Sequence, residues 1–243
     1  MSKLDVLVFR LRGKLAHFRQ PDTTVTQATY PFPPRPTLHG LLGAILGIDC
    51  ETPDWPGFLA GEHYLGLSLL APVRTVCAQM SLLGKGFLSG QGDAFNRPTV
   101  VELVISPSYR VYYAGESLAA LQNRLANRQS VFPTYLGSGF CLTFPEYEGV
   151  YQADLLPTRA DEEITVASVI PRELVSRVHL ENQATYAASR TMPYRHRGDR
   201  TFDGTAVVYY EVTGKPLRIT LAAAPSLPHR LARLPGGEVV CLW

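Results

Sequence analysis

Between Asp5 and Arg12 the chain alternates. Leu7, Phe9 and Leu11 fall on one side and Arg10 and Arg12 on the other, the period-two pattern of a strand with one buried and one charged face. Leu38, Leu41, Leu42 and Ile45 then recur at three- and four-residue spacing. That predicts a helix over 37–47, with Thr37 as its N-cap and Gly47 as its stop. Residues 20–36, which join the two, hold five prolines and read as an extended loop. A β-like run follows over 63–80, then the glycine-rich stretch 82–98, then a second β-like run over 100–115. Two strands around such an excursion predict an extended hairpin arm, or thumb. Leu118, Leu121 and Leu125 form one stripe of a helix over 116–129, and 135–144 reads as a further strand.

The resulting order is β-α-β-β-α-β. It predicts an α+β fold: a ferredoxin-like domain of the kind used by RNA-recognition modules over residues 1–150, carrying the thumb at about 82–98. Past residue 150 the pattern shortens to β-like pieces at 205–212, 216–222 and 238–243. These predict a small β-rich C-terminal part over 151–243.

Composition narrows the partners. The chain has 243 residues, 46% hydrophobic and 18% charged, which fits a folded protein and excludes a disordered one. A net charge of only +2 excludes a general polyanion binder, so nucleic-acid affinity requires local clustering. Two clusters exist: Arg10, Arg12, Lys14, His17 and Arg19, and Arg190, Arg195, His196, Arg197 and Arg200. The four cysteines form no CxxC pair; they read as reduced thiols of a cytoplasmic protein, with no metal site and no disulfide framework. The first residues lack the apolar core of a signal peptide, and no window approaches ~18 consecutive apolar residues. No membrane partner is expected.

The stretch from Tyr30 to Gly47 is the first place where chemistry concentrates. Gly40 and Gly43 lie inside the predicted helix, each at a cost of about 1 kcal/mol relative to alanine. With Ala44 and Gly47 they make a smooth strip that admits a ligand or a packed backbone. Arg35 and the helix N-terminus favour a phosphate, and Tyr30 and Phe32 offer rings for stacked bases. The alternative is purely structural, with the glycines serving helix-on-sheet packing and the aromatics plugging the core. Lys85 and Arg97 stand at the base of the arm, with Phe87 and Phe95 as wedges, in no Walker or Rossmann arrangement. The run 189–200, with Tyr194 among its arginines, is either a phosphate site or a solvated face. The glycines of 135–140 fit a strand entry better than a phosphate nest. No GxSxG or HExxH motif occurs and the six histidines are scattered, so no catalytic residue, metal or cofactor is predicted. A metal-free ribonuclease using His17, Tyr30 or Lys85 stays as the alternative.

The segment LRGKLAHFRQPDTTVTQATYPFPPRPTLHGLLGAILG, residues 11–47, closely resembles the N-terminal signature of the CRISPR-associated Cas family five. The arm and the YLGSG segment extend the resemblance over most of the first 145 residues. It implies a non-catalytic subunit that caps the 5′ handle of the CRISPR RNA in the type I surveillance complex, Cascade. Such a subunit contacts the backbone and large subunits, and meets target DNA through the complex. On this resemblance Phe18, Arg19, Tyr30, Arg35, Thr37, His39 and Gly40 contact the handle, joined by Phe32 as a stacking ring. Lys85, Gly86, Asn96 and Arg97 belong to the thumb. The signature leans toward the type I-B or I-D branch. Type I-C members are themselves ribonucleases and carry a tyrosine with a Lys-His pair. This chain has Tyr30 but no Lys-His dipeptide, which implies a separate processing enzyme. A metal-independent endoribonuclease and a purely protein-docking role are the competing expectations.

Overall fold

The computed structural model describes residues 2–21, 26–85, 94–198, 201–223, 225 and 227–243. The alternating segment forms β1 (Lys3–Arg12), which buries Leu7, Phe9 and Leu11 completely. Val6 and Val8, on its other side, are equally buried. The strand is therefore covered on both faces near its middle, where the pattern predicts one charged face.

The proline-rich loop leads into α1 (Arg35–Leu46). Pro34, not Thr37, takes the cap position, and Pro36 sits in the first turn, where a missing N–H leaves no hydrogen bond unmade. Gly47 ends the helix at φ 87°, its N–H donating to the Gly43 carbonyl at 2.8 Å. This is the left-handed stop that glycine alone adopts without strain. A short α2 (Asp54–Ala60), absent from the sequence expectation, precedes β2 (His63–Leu69). The run of 63–80 is thus divided, its second part being the start of β3 (Thr75–Lys85). β3 pairs with β4 (Ala94–Ile105) from Thr75–Val104 out to Lys85–Ala94, forming the stem of a long hairpin. Then come β5 (Ser108–Gly115), α3 (Leu118–Ala126) and β6 (Glu146–Leu156). Residues 135–144 are not a strand. A single bridge joins Tyr135 to Leu142 around Gly137 at φ 84°, so the chain doubles back and pairing starts only at Glu146.

β7 (Glu163–Val166), β8 (Val175–Val178), β9 (Tyr186–Gly198), β10 (Thr201–Glu211) and β11 (Leu217–Leu221) form two small antiparallel sheets. β12 (Arg230–Arg233) and β13 (Val239–Leu242) return to the first sheet. Its order is β13-β12-β6-β1-β5-β2, every neighbour antiparallel. The boundary expected near residue 150 falls inside β6, and the last strands continue the sheet that β1 begins. The fold is mixed and strand-rich.

The two ends of this sheet meet. The Trp243 N–H donates to the Leu65 carbonyl at 2.9 Å, and the Leu65 N–H donates back to Trp243 at 3.3 Å. Gly66 permits the approach, since a Cβ there would lie 2.6 Å from the Cys241 carbonyl. Val6, Val8, Tyr112, Ala114, Ala153, Ala232 and Val240 share one buried cluster, with small residues where a narrow closed sheet leaves little room. The larger cluster joins Leu7, Phe9 and Leu11 to Leu42, Ile45, Leu121 and Leu125 of the helices and to Ile170, Val208 and Ile219 beyond β6. Among the described residues no helix is long and apolar enough to cross a membrane.

Candidate nucleic-acid interface

The proline-rich loop turns its rings inward. Phe18, Tyr30 and Phe32 are all buried. Phe18 packs on Tyr109, Phe32 meets Tyr210 edge-on, and the Tyr30 hydroxyl donates to the Thr191 carbonyl at 2.6 Å. The structural alternative holds for these three: they plug the core and present no face to a base. Arg19 is exposed. Two of its neighbours in the first basic cluster are neutralised, since Arg10 pairs with Glu148 at 2.7 Å and Arg12 with Glu146. On the hairpin stem Lys85, Asn96 and Arg97 stand in register with Ala94, Leu83 and Leu82. Gly86 and Phe87 lie outside the described residues.

Helix α1 divides the remaining candidates between two clefts. The first, of about 470 Å³, lies along Thr37, Gly40 and Ala44 and faces Trp55 and the loop 132–137. A Cβ at Gly40 would meet nothing within 4 Å, whereas one at Gly43 would lie 2.8 Å from the Trp55 ring. Gly43 therefore serves packing and Gly40 opens space. Phe132 and Tyr135 are 40% and 45% exposed at this cleft. The buried indole N–H of Trp55 has no acceptor. Gly137 packs so closely on the His17 carbonyl that no side chain fits, and His17 Nδ1 meets the Glu102 carbonyl of β4 at 2.8 Å. The loop is thus fixed against the root of the hairpin arm.

The second cleft, of about 360 Å³, is lined by Arg35, His39, Tyr64, Tyr194, Arg195, His196 and Trp243, with Glu62 on its wall. Arg35 donates from Nε to the Trp243 carbonyl at 3.0 Å and from Nη2 to the His63 carbonyl at 2.8 Å. Its guanidinium lies over the Tyr194 ring, which stacks in turn on Trp243. Burial lowers the Arg35 pKa, and nearby Arg195 lowers it further. His39 is 2% exposed and neither ring nitrogen has a partner. Burial, then the charge of Arg35, holds its pKa well below the usual imidazole value, so the ring is neutral near pH 7. His63 is fixed between the Tyr113 hydroxyl at 2.8 Å and the Phe58 carbonyl at 2.6 Å.

Sequence reasoning missed Trp55 and Phe132 in the first cleft and Tyr64 and Trp243 in the second. No spacing marks these residues, because loop returns and sheet closure bring them in. Tyr135 was visible only as part of a presumed strand. Among the described residues no cluster of His, Cys, Asp and Glu is placed to hold a metal ion. The cysteines are unpaired, with Cys50 and Cys77 exposed and Cys141 and Cys241 buried.

Residues 6–77 match the family model described as CRISPR-associated protein (Cas_Cas5). No curated protein matches the chain. Its fold is shared by solved structures, three of which are similar over most of their length. A crystal structure of a Cas protein is 19% identical, covering 86% of this chain and 95% of that one, with a TM-score of 0.52. A chain of a CRISPR RNA-guided surveillance complex is 15% identical over 91% and 94%, with a TM-score of 0.53. A CRISPR protein from Archaeoglobus fulgidus is 15% identical over 98% of both chains, also at 0.53.

Proposed function

We propose, from the match of residues 6–77 to the family model described as CRISPR-associated protein (Cas_Cas5), that the chain is a member of the CRISPR-associated Cas family five and a non-catalytic CRISPR RNA-binding subunit. In this reading it caps the 5′ handle within a cytoplasmic type I Cascade complex of the I-B or I-D branch. It contacts the backbone and large subunits, and meets target DNA through them. The order β6-β1-β5-β2 with α1 and α3 between strands supports reading a ferredoxin-like core here, with the β3–β4 hairpin as its thumb.

The first cleft carries this reading. Single-stranded RNA is held by stacking on exposed rings, by backbone groups and by 2′-hydroxyl contacts more than by net charge. Phe132 and Tyr135 supply rings, Gly40 supplies room, and the Trp55 N–H supplies a donor for a base carbonyl, all beside the thumb root. A net charge of +2 is compatible with one short handle. The ribonuclease alternative has less support: His17 and Tyr30 are buried, and both are engaged by backbone carbonyls.

The experiment is a binding titration of handle RNA with the purified protein. Tyr135→Ala and Phe132→Ala are expected to weaken binding roughly tenfold each, the scale of one lost base stack. Unchanged affinity in both overturns the site. In parallel, repeat RNA is incubated with the protein in EDTA. A discrete product lost in Tyr30→Phe would replace the binding role with the nuclease.

A further inference from the structure

We infer that the second cleft, between α1 and β9, is a separate site for the phosphate group of a nucleotide. This inference assigns Arg35 and His39, which the resemblance places on the handle, to a site of their own on the opposite side of α1 from the first cleft.

Two cations line this cleft without an ion-pair partner among the described residues. Among the described residues neither Arg35 nor Arg195 has a carboxylate within ion-pair distance, whereas Arg10, Arg12 and Arg110 of the main sheet do. Arg35 is held from one edge, Nε and Nη2 being committed to the Trp243 and His63 carbonyls. Nη1 keeps its donors for a ligand. A cation taken out of water without an anion is costly, and an incoming phosphate removes that cost.

His39 is the independent sign of a ligand. Its ring lines the same cleft, is 2% exposed, and leaves both nitrogens unsatisfied. Buried polar groups are nearly always hydrogen-bonded, and a phosphate oxygen would accept from this imidazole. Arg195 and His196 close the opposite wall from β9. The acidic groups nearby are Glu62, which lines the cleft, Glu116, which approaches Gly61, and Glu173, whose charge reaches Tyr194. The cleft exceeds the size of a bare phosphate, leaving room for an attached sugar. A guanidinium with a partly engaged fork matches a phosphate better than a point charge does.

The shared chemistry is one phosphate group, carried either by a free mononucleotide or by a strand. Calorimetric titration of the full chain with UMP, with the dinucleotide UpU, with uridine and with citrate separates the sources. Either phosphate ligand is expected to bind, the tighter one naming the source, with uridine and citrate inert. Arg195→Ala, at an exposed position with no ion pair, is expected to weaken that binding about tenfold or more. His39→Leu is expected to weaken it without loss of fold, checked by the thermal transition. Tyr135→Ala is expected to weaken handle RNA while leaving UMP untouched, so the two sites fail separately. The inference is overturned if neither phosphate ligand binds at millimolar concentration, if Arg195→Ala changes nothing, or if citrate binds as well as UMP.

Discussion

Arg35 and Trp243 are joined by a 3.0 Å hydrogen bond from guanidinium to carbonyl, across 208 positions of sequence. The same guanidinium donates to the His63 carbonyl, so one side chain ties together both strands where the main sheet closes. The residue that the sequence marks as a phosphate contact therefore also has a structural task, and only its third nitrogen remains for a ligand.

Replacing Arg35 with alanine is expected to lose about 2–4 kcal/mol of stability, because two bonds to a charged donor vanish and two carbonyls lose their partner. Lysine, with a point charge in place of a fork, should recover only part of it. Urea unfolding of the three proteins measures this.

Stability should fall as pH drops below about 6.5, the unfolded imidazole value. Burial lowers the folded pKa of His39, His63 and His17. The unfolded chain then binds more protons than the folded one, and protonation favours unfolding. His39→Leu should flatten the slope by up to about 1.4 kcal/mol per pH unit. Urea midpoints at pH 7.5, 6 and 5 test it, and an unchanged slope would contradict a neutral His39.

The two glycines of α1 should separate cleanly. Gly43→Ala places a methyl against the Trp55 ring and the Ile48 carbonyl and should destabilise by about 1–3 kcal/mol. Gly40→Ala meets nothing and should stabilise the helix by up to about 1 kcal/mol while weakening RNA binding in the first cleft. Thermal midpoints and RNA titration read both.

Gly66→Ala is expected to disrupt the closing pair, since the new methyl would stand 2.6 Å from the Cys241 carbonyl. A loss of about 2–3 kcal/mol is expected from such overpacking, with faster amide exchange at Leu65 and Trp243.

Local pattern was enough for β1, for α1 and for its Gly47 stop, because alternation, helical spacing and a left-handed cap are written within a few residues. It failed over 135–144, where Tyr135, Leu136, Phe140 and Leu142 look strand-like but Gly137 at φ 84° folds the segment back. It was ambiguous for Tyr30 and Phe32, because composition does not say which way a proline-rich loop turns its rings. The composition of the clefts was legible in part: Arg35, His39, Thr37 and Gly40 all lie on α1, yet the helix sends the first two to one side and the last two to the other. Their partners Trp55 and Trp243 arrive through tertiary returns that no spacing records.

The closed sheet also sets an order of events during synthesis. β2 leaves the ribosome long before the residues that will pair with its outer edge, so that edge stays an open template until Trp243 emerges. A chain lacking 239–243 would leave the N–H and the carbonyl of Leu65 unpaired, beside the Leu67 carbonyl that the Val169 N–H still covers, and so open part of the edge to a second molecule. Truncation there is expected to appear first as self-association, before any loss of helix signal.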